Sequence, residues 1–197
     1  GAGKHGWGIL TDGTDVTLYE GEVCEGRLAG HGTWFFPNGD RYEGGWRDNL
    51  PAGHGRYTTA AGSYYDGDWR DGRRHGHGVQ VTVGRGSWYD GDWANDMRHG
   101  RGGLTLSDGS SYYGHWAHDV FDGKGECTYA DGSHFEGMFK GGRRDGRGTL
   151  TFSSGATYSG RFKNDDIIYG ASGILTMTDS VRLESGDVMI PVDFQSD

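Results

Sequence analysis

The sequence predicts an all-β protein: an elongated, single-layer antiparallel sheet of tandem β-hairpins, twisted or curved into a solenoid-like rod. Three observations predict it. An aromatic-x-Gly triplet recurs at intervals of 23, 23, 24, 23, 23 and 23 residues. Around each triplet large and small residues alternate with period two, which marks a strand and not a helix. Glycine supplies 40 of 197 residues beside only three prolines, and aromatic residues reach 13%. Such a chain is rich in turns and flat side chains, and poor in the aliphatic mass of a compact globule.

The triplets are Tyr19-Glu20-Gly21, Tyr42-Glu43-Gly44, Tyr65-Asp66-Gly67, Tyr89-Asp90-Gly91, Tyr112-Tyr113-Gly114, Phe135-Glu136-Gly137 and Tyr158-Ser159-Gly160. Two residues after the glycine stands Trp46, Trp69, Trp93, Trp116, Phe139 or Phe162, with Val23 in the first unit. A Gly-x-Gly pair leads each unit, as in Gly30/Gly32, Gly53/Gly55 and Gly123/Gly125. These glycines alternate with aromatics, so they read as room for a neighbouring ring and not as a phosphate-binding loop. Between the two signatures lies Asp12-Gly13, Asn38-Gly39, Asp108-Gly109 or Asp131-Gly132. Asp-Gly and Asn-Gly are the strongest short hairpin signals, because such turns need positive φ. A polar link such as Arg70-Asp71-Gly72-Arg73-Arg74-His75 then leads to the next hairpin.

The string Gly30-His31-Gly32, followed by Asn38-Gly39-Asp40-Arg41-Tyr42-Glu43-Gly44-Gly45-Trp46, resembles the MORN repeat. The pattern recurs seven times over residues 3–163. The resemblance implies consecutive antiparallel hairpins in one sheet, and it is closest to MORN-only cytoskeletal scaffolds of protozoa. It also implies homo-oligomeric assembly, with lipid binding or service as an accessory domain of a larger enzyme as other roles of such repeats.

Both ends depart from the pattern. Gly1-Ala2 reads as an expression scar ahead of a repeat, on a chain cut from a longer protein. Residues 164–197 read as a degenerate eighth repeat plus a closing or dimerisation segment. Aliphatic residues dominate there, and Ile167, Ile168, Ile174, Leu175, Met177, Leu183, Val188, Met189, Ile190 and Phe194 are the expected dimer interface. Neighbouring repeats lie about 9.5 Å apart, so eight make a rod of about 75 Å with two open edges. An open edge beside an apolar segment favours an isologous dimer over a simple cap.

The formal net charge of −9 disfavours nucleic acid and anionic membranes as general partners. No apolar run approaches the roughly 18 residues needed to span a bilayer. Cys24 and Cys127 lie in different repeats and make no disulfide framework, which fits a reducing, cytoplasmic compartment. The resemblance to MORN-only scaffolds implies cytoskeleton association there, or a place at the inner face of a membrane. A rod has no deep pocket, no serine stands in an elbow motif and no Walker-type lysine is present, so no catalytic residue and no required cofactor is expected.

Three binding candidates remain. His31, His54 and His77 share the Gly-His-Gly slot, but a spacing of about 9.5 Å is too wide for one zinc ion, so they read as a structural stripe. Cys127 and His134 flank Asp131-Gly132. With a two-residue turn they share a face, and a dimer could then hold zinc between two such pairs. With a three-residue turn they lie on opposite faces, and Cys127 is a small apolar residue in the slot of Leu104 and Leu150; the apolar reading is favoured. Arg73, Arg74, Arg143 and Arg144 are the candidates for a phosphoinositide headgroup, against the simpler reading of exposed charge on the links. Expected partners are a second copy, cytoskeletal proteins and phosphoinositides.

Overall fold

The structure, a computed structural model, describes residues 5–168 and 173–176. Seven hairpins follow one another: β1 (His5–Thr11) with β2 (Thr17–Cys24), β3 (Arg27–Phe35) with β4 (Arg41–Arg47), β5 (Leu50–Thr58) with β6 (Tyr64–Arg70), β7 (Arg73–Thr82) with β8 (Ser87–Ala94), β9 (Met97–Thr105) with β10 (Ser111–Ala117), β11 (Val120–Thr128) with β12 (His134–Lys140), and β13 (Arg143–Thr151) with β14 (Thr157–Lys163). Two short strands, β15 (Asp166–Ile168) and β16 (Ile174–Thr176), both pair with β14. All belong to one sheet in which β1 to β15 follow one another in chain order, with β16 off that path, paired to β14.

Two kinds of turn alternate. Within a hairpin the loop has three residues. Tyr129 N–H donates to Ser133 O at 2.9 Å, and Gly132 N–H donates to Tyr129 O at 2.9 Å with Gly132 at φ 82°. Only the glycine is left-handed there, which is the type I turn with a bulge. Between β7 and β8 the loop is Val83–Gly86, one residue longer, and this explains the single 24-residue interval. Between hairpins the connection has two residues, both at positive φ: Asp48-Asn49 (48° and 66°), Asn95-Asp96 (50° and 70°), His118-Asp119 (51° and 68°). The expected polar links are therefore themselves tight turns of type I′. In the stretch from Arg70 to His75, only Asp71-Gly72 lies outside the strands.

One register runs through the sheet. Gly8, Gly21, Gly32, Gly44, Gly55 and Gly67 pair in succession, and the row continues through Gly78, Gly91, Gly102, Gly114, Gly125, Gly137 and Gly148 to Gly160. The triplet aromatics lie over this row and are its core. Tyr19, Tyr42, Tyr65, Tyr89, Tyr112, Phe135 and Tyr158 are 0–5% exposed. A Cβ on Gly55 would stand 2.2 Å from the Tyr42 hydroxyl, so the second glycine of Gly-x-Gly is required by the ring. The first glycine has another duty. Between the triplet glycine and Val23, Trp46, Trp69, Trp93, Trp116 or Phe139 the pairing with the following strand shifts by a bulge, and Gly30, Gly53, Gly76, Gly100, Gly123 and Gly146 take positive φ there.

The Tyr42, Tyr65 and Tyr89 rings each stand edge-on between two indoles: Tyr42 is 5.1 Å from Trp46 and 5.1 Å from Trp69. The polar tips are used as well. Tyr42 Oη donates to Gly45 O at 3.0 Å, and Trp46 Nε1 donates to Gly32 O at 3.0 Å; Tyr65, Trp69, Tyr89, Trp93 and Trp116 repeat the arrangement. Buried donors are thereby satisfied while the rings bury their area. Burial pushes the hydroxyl pKa values of Tyr42, Tyr65, Tyr89 and Tyr112 well above the ordinary range.

Candidate interaction surface

The sheet has two unlike faces. The inner face carries the aromatic row. Beside it runs a second row: Trp34, Tyr57, Gln80, Leu104, Cys127 and Leu150, each directly opposite the triplet aromatics of the flanking strands. Leu175 on β16 enters the same row opposite Tyr158, and Ile167 on β15 packs opposite Phe162. The sheet therefore continues past β14 in the repeat's register. Ile168, Ile174 and Leu175 are exposed there. Met177, Leu183, Val188, Met189, Ile190 and Phe194 lie outside the described residues.

The three-residue loop decides the cysteine question. Cys127 pairs with Phe135 and His134 pairs with Thr128, so the two side chains project from opposite faces. This corrects the zinc expectation for the pair: one ion cannot be reached by both. Cys127 is buried in the leucine row, and burial pushes its thiol pKa up. His134 stands on the other face with Nδ1 3.1 Å from Thr128 Oγ1. Among the described residues, no group of three or more His, Cys, Asp and Glu side chains could hold a metal ion.

The arginine pairs also divide. Arg74 and Arg144 turn to the inner face. The Arg74 guanidinium lies 4.2 Å over the Trp93 ring, and its Nε is 3.3 Å from Asp96 Oδ1. Arg144 is held likewise by Asp165, with Phe162 at 5.4 Å. Arg98 forms the same staple with Trp116 and Asp119. The anchor is the second residue of the next type I′ turn, whose carboxylate also accepts the arginine's own backbone N–H. These arginines clamp one repeat to the next. That duty is legible only once the turn is known, because it joins residues 21 or 22 positions apart. Arg73 and Arg143 point the other way and are exposed.

The outer face is polar. His31, His54 and His77 stand on it between the two glycines of each pair, exposed and beside carboxylates. His54 Nε2 is 3.0 Å from Asp66 Oδ1 and its Nδ1 is 3.6 Å from Asp68 Oδ1; His77 Nε2 is 3.2 Å from Asp90 Oδ1. Toward the C-terminal strands the same face becomes basic, with Lys140, Arg143, Arg147 and Arg161 exposed on β12 to β14. The largest exposed rings of its middle strands are Trp88 and Tyr113. Sequence reading passed over both, since Tyr113 lies inside a triplet and Trp88 precedes one.

The MORN repeat profile matches residues 19–41, 42–64, 65–82, 89–111, 112–134 and 135–157. No curated protein matches this chain. Among solved structures, the SAS-4 (dCPAP) TCP domain of Drosophila melanogaster, in complex with a proline-rich motif of Ana2 (dSTIL), is 13% identical at a TM-score of 0.42, over 66% of this chain and 71% of that one. The TCP10c domain of Drosophila melanogaster Sas-4 is 11% identical at a TM-score of 0.38, over 75% of this chain and 93% of that one. Similarities this slight carry no argument about function. The family profile, by contrast, covers well over half of the chain and coincides with the hairpins that bury the aromatic row, so this chain belongs to the MORN-repeat family.

Proposed function

We propose that this chain is a non-catalytic scaffold, a MORN-repeat rod that homodimerises through its C-terminal region and organises a cytoskeletal or membrane-associated complex. One observation carries the reading. The sheet is a single layer in which β1 to β15 follow one another in chain order, so among the described residues it offers a long periodic face and a free edge. A free edge presents unpaired N–H and C=O groups that pair readily with another chain. At the C-terminal end of the strand order that edge carries exposed Ile168, Ile174 and Leu175. An apolar strand at a free edge supports a two-fold contact with its own copy.

A second reading is recognition of phosphoinositides. It is favoured by Lys140, Arg143, Arg147 and Arg161 on one face, since each basic residue near an anionic surface contributes about 1 kcal/mol. Arg73 can add to that face, whereas Arg74 and Arg144 are held on the other.

Light scattering tests the scaffold. The full chain should show twice its 21.5 kDa mass, and a chain ending at Asp165 should not. Two monomers at micromolar concentration would end the dimer reading. The same preparations, sedimented with vesicles with and without phosphoinositides, separate the lipid reading from the scaffold.

A further inference from the structure

Two histidines meet where the fifth hairpin joins the sixth. His99 directly precedes the first glycine of its Gly-x-Gly pair, a place filled elsewhere by Ala29, Ala52, His75, Asp122 and Asp145. His118 is the first residue of the turn between β10 and β11, at φ 51°. In five other turns the same place holds Asp48, Asp71, Asn95, Gly141 or Asn164, also at positive φ. Glycine, asparagine and aspartate are the residues that visit this left-handed region routinely. They show what the turn asks of the backbone, and the imidazole of His118 is an addition to it.

The fold fixes the two side by side. Asp119, the second residue of the turn, donates its N–H to Arg98 O at 3.1 Å, and its Oδ1 accepts both the Arg98 backbone N–H and Nε at 3.0 Å. His118 and His99 are the chain neighbours of that tie. Their ring centroids are 6.0 Å apart, with the planes at 74°. Both residues are exposed, and among the described residues no hydrogen bond or ion pair engages either ring. One repeat further on, the same two positions do bond: Gly141 N–H donates to Asp122 Oδ2 at 3.2 Å.

We propose that His99 and His118 together bind a divalent transition-metal ion such as zinc, with water in its remaining positions. The spacing meets the requirement that the His31, His54 and His77 stripe fails. A zinc–nitrogen bond of about 2.0–2.1 Å puts an imidazole centroid about 3.2 Å from the ion. Two centroids around one ion are then about 5 Å apart at the tetrahedral angle and at most about 6.4 Å apart. The observed 6.0 Å lies inside that range, and exposed rings can turn to close the angle. Unlike Cys127 and His134, these two rings already touch. Imidazole selects the ion: it suits zinc, copper or nickel, whereas magnesium and calcium take oxygen ligands. Among the described residues no third His, Cys, Asp or Glu side chain completes the set, so the ion keeps open positions. Once bound, it ties β9 to the turn that opens the next hairpin.

This site goes beyond the scaffold reading and does not rest on it, since neither residue lies at the C-terminal edge. The test is an NMR titration of the full chain with zinc chloride, following the imidazole C–H signals of its nine histidines. The His99 and His118 signals should move first, together, and saturate at one ion per chain, while magnesium chloride moves neither. H99A and H118N should each weaken zinc binding by about tenfold or more. Both variants install a residue that other repeats carry at the same place, Ala29 and Ala52 for the first, Asn95 and Asn164 for the second, so the sheet is kept. Zinc should also slow amide exchange from Ala117 to Val120 in the unaltered chain and not in the variants. Zinc that moves the His31, His54 or His77 signals before this pair would overturn the inference, as would unchanged binding by either variant. So would saturation at one ion per two chains, since a second copy would then complete the site.

Discussion

At the residue scale, the same amino acid does two opposite things on the two faces. Gly55 lies under the Tyr42 ring, where a Cβ would come within 2.2 Å of the hydroxyl and 2.5 Å of Cζ. Tyr42 is 1% exposed and cannot move aside without losing the Gly45 hydrogen bond and its indole contacts. A Cβ on Gly103 would make only two ordinary contacts, with Tyr113 Cδ2 at 3.5 Å and Tyr112 O at 3.9 Å. Gly55→Ala should therefore cost about 1–3 kcal/mol, the range for overpacking a filled core. Gly103→Ala should change stability by less than about 0.5 kcal/mol, as at an open surface site. Urea denaturation of the two variants checks the contrast, and equal midpoints would show that the glycine row is not required by the rings. The aromatic row itself varies within limits. Phe135, Phe139 and Phe162 keep the edge-on contacts at 4.9–5.2 Å but have no donor for a carbonyl.

At the element scale, four of the seven hairpins are closed by an aspartate or asparagine, Asp12, Asn38, Asp108 or Asp131, whose side chain holds the loop. Asp131 Oδ1 accepts Ser133 Oγ at 2.6 Å and Ser133 N–H at 2.8 Å. The serine hydroxyl first, and its backbone N–H second, keep the Asp131 carboxyl below the usual carboxylate range. Asp108 is held the same way by Ser110, and Asp12 by Thr14. A lowered folded-state pKa means that the ionised loop is favoured above the ordinary value of 3.8 and loses that support as the pH falls through the folded value. Amide exchange in Ala130 to Ser133 should accordingly speed up as the pH is taken below about 3.8, after correction for intrinsic exchange. Asp131→Ala should show fast exchange at every pH and no such step. A step of the same size in the variant would assign it to another group.

The hairpins were legible because the rings and glycines recur along the sequence. The turns were less so. Asp-Gly and Asp-Asn pairs both satisfy a positive-φ requirement, and the two loop lengths differ by one residue, so composition alone did not tell which turn closes the hairpin and which joins it to the next. That one residue then decided whether Cys127 and His134 share a face. Arg74 and Arg144 looked like free charge because their aspartate partners belong to the following repeat.

At the scale of the whole molecule, stability is a chain of nearest-neighbour terms. The substantial strand contacts all join elements that share an edge in the sheet. Coupling between repeats passes through the shared rings, Tyr42 to Trp69 and then Tyr65 to Trp93, and through the arginine staples. In such a one-dimensional array a defect weakens its own unit and the adjoining interfaces, and its influence decays with distance. A compact domain would instead respond as one unit. Gly55→Ala therefore makes a prediction beyond its midpoint. Hydrogen exchange should accelerate most in β4 to β7, less in β8 and β9, and not measurably in β12 to β14. Uniform acceleration along the chain would mean that the sheet unfolds all at once, and the repeat-by-repeat account of its stability would be wrong. A gradient would mean that a partner binding one segment can loosen or tighten its neighbours without disturbing the far end, which is the behaviour a scaffold with several attachment points needs.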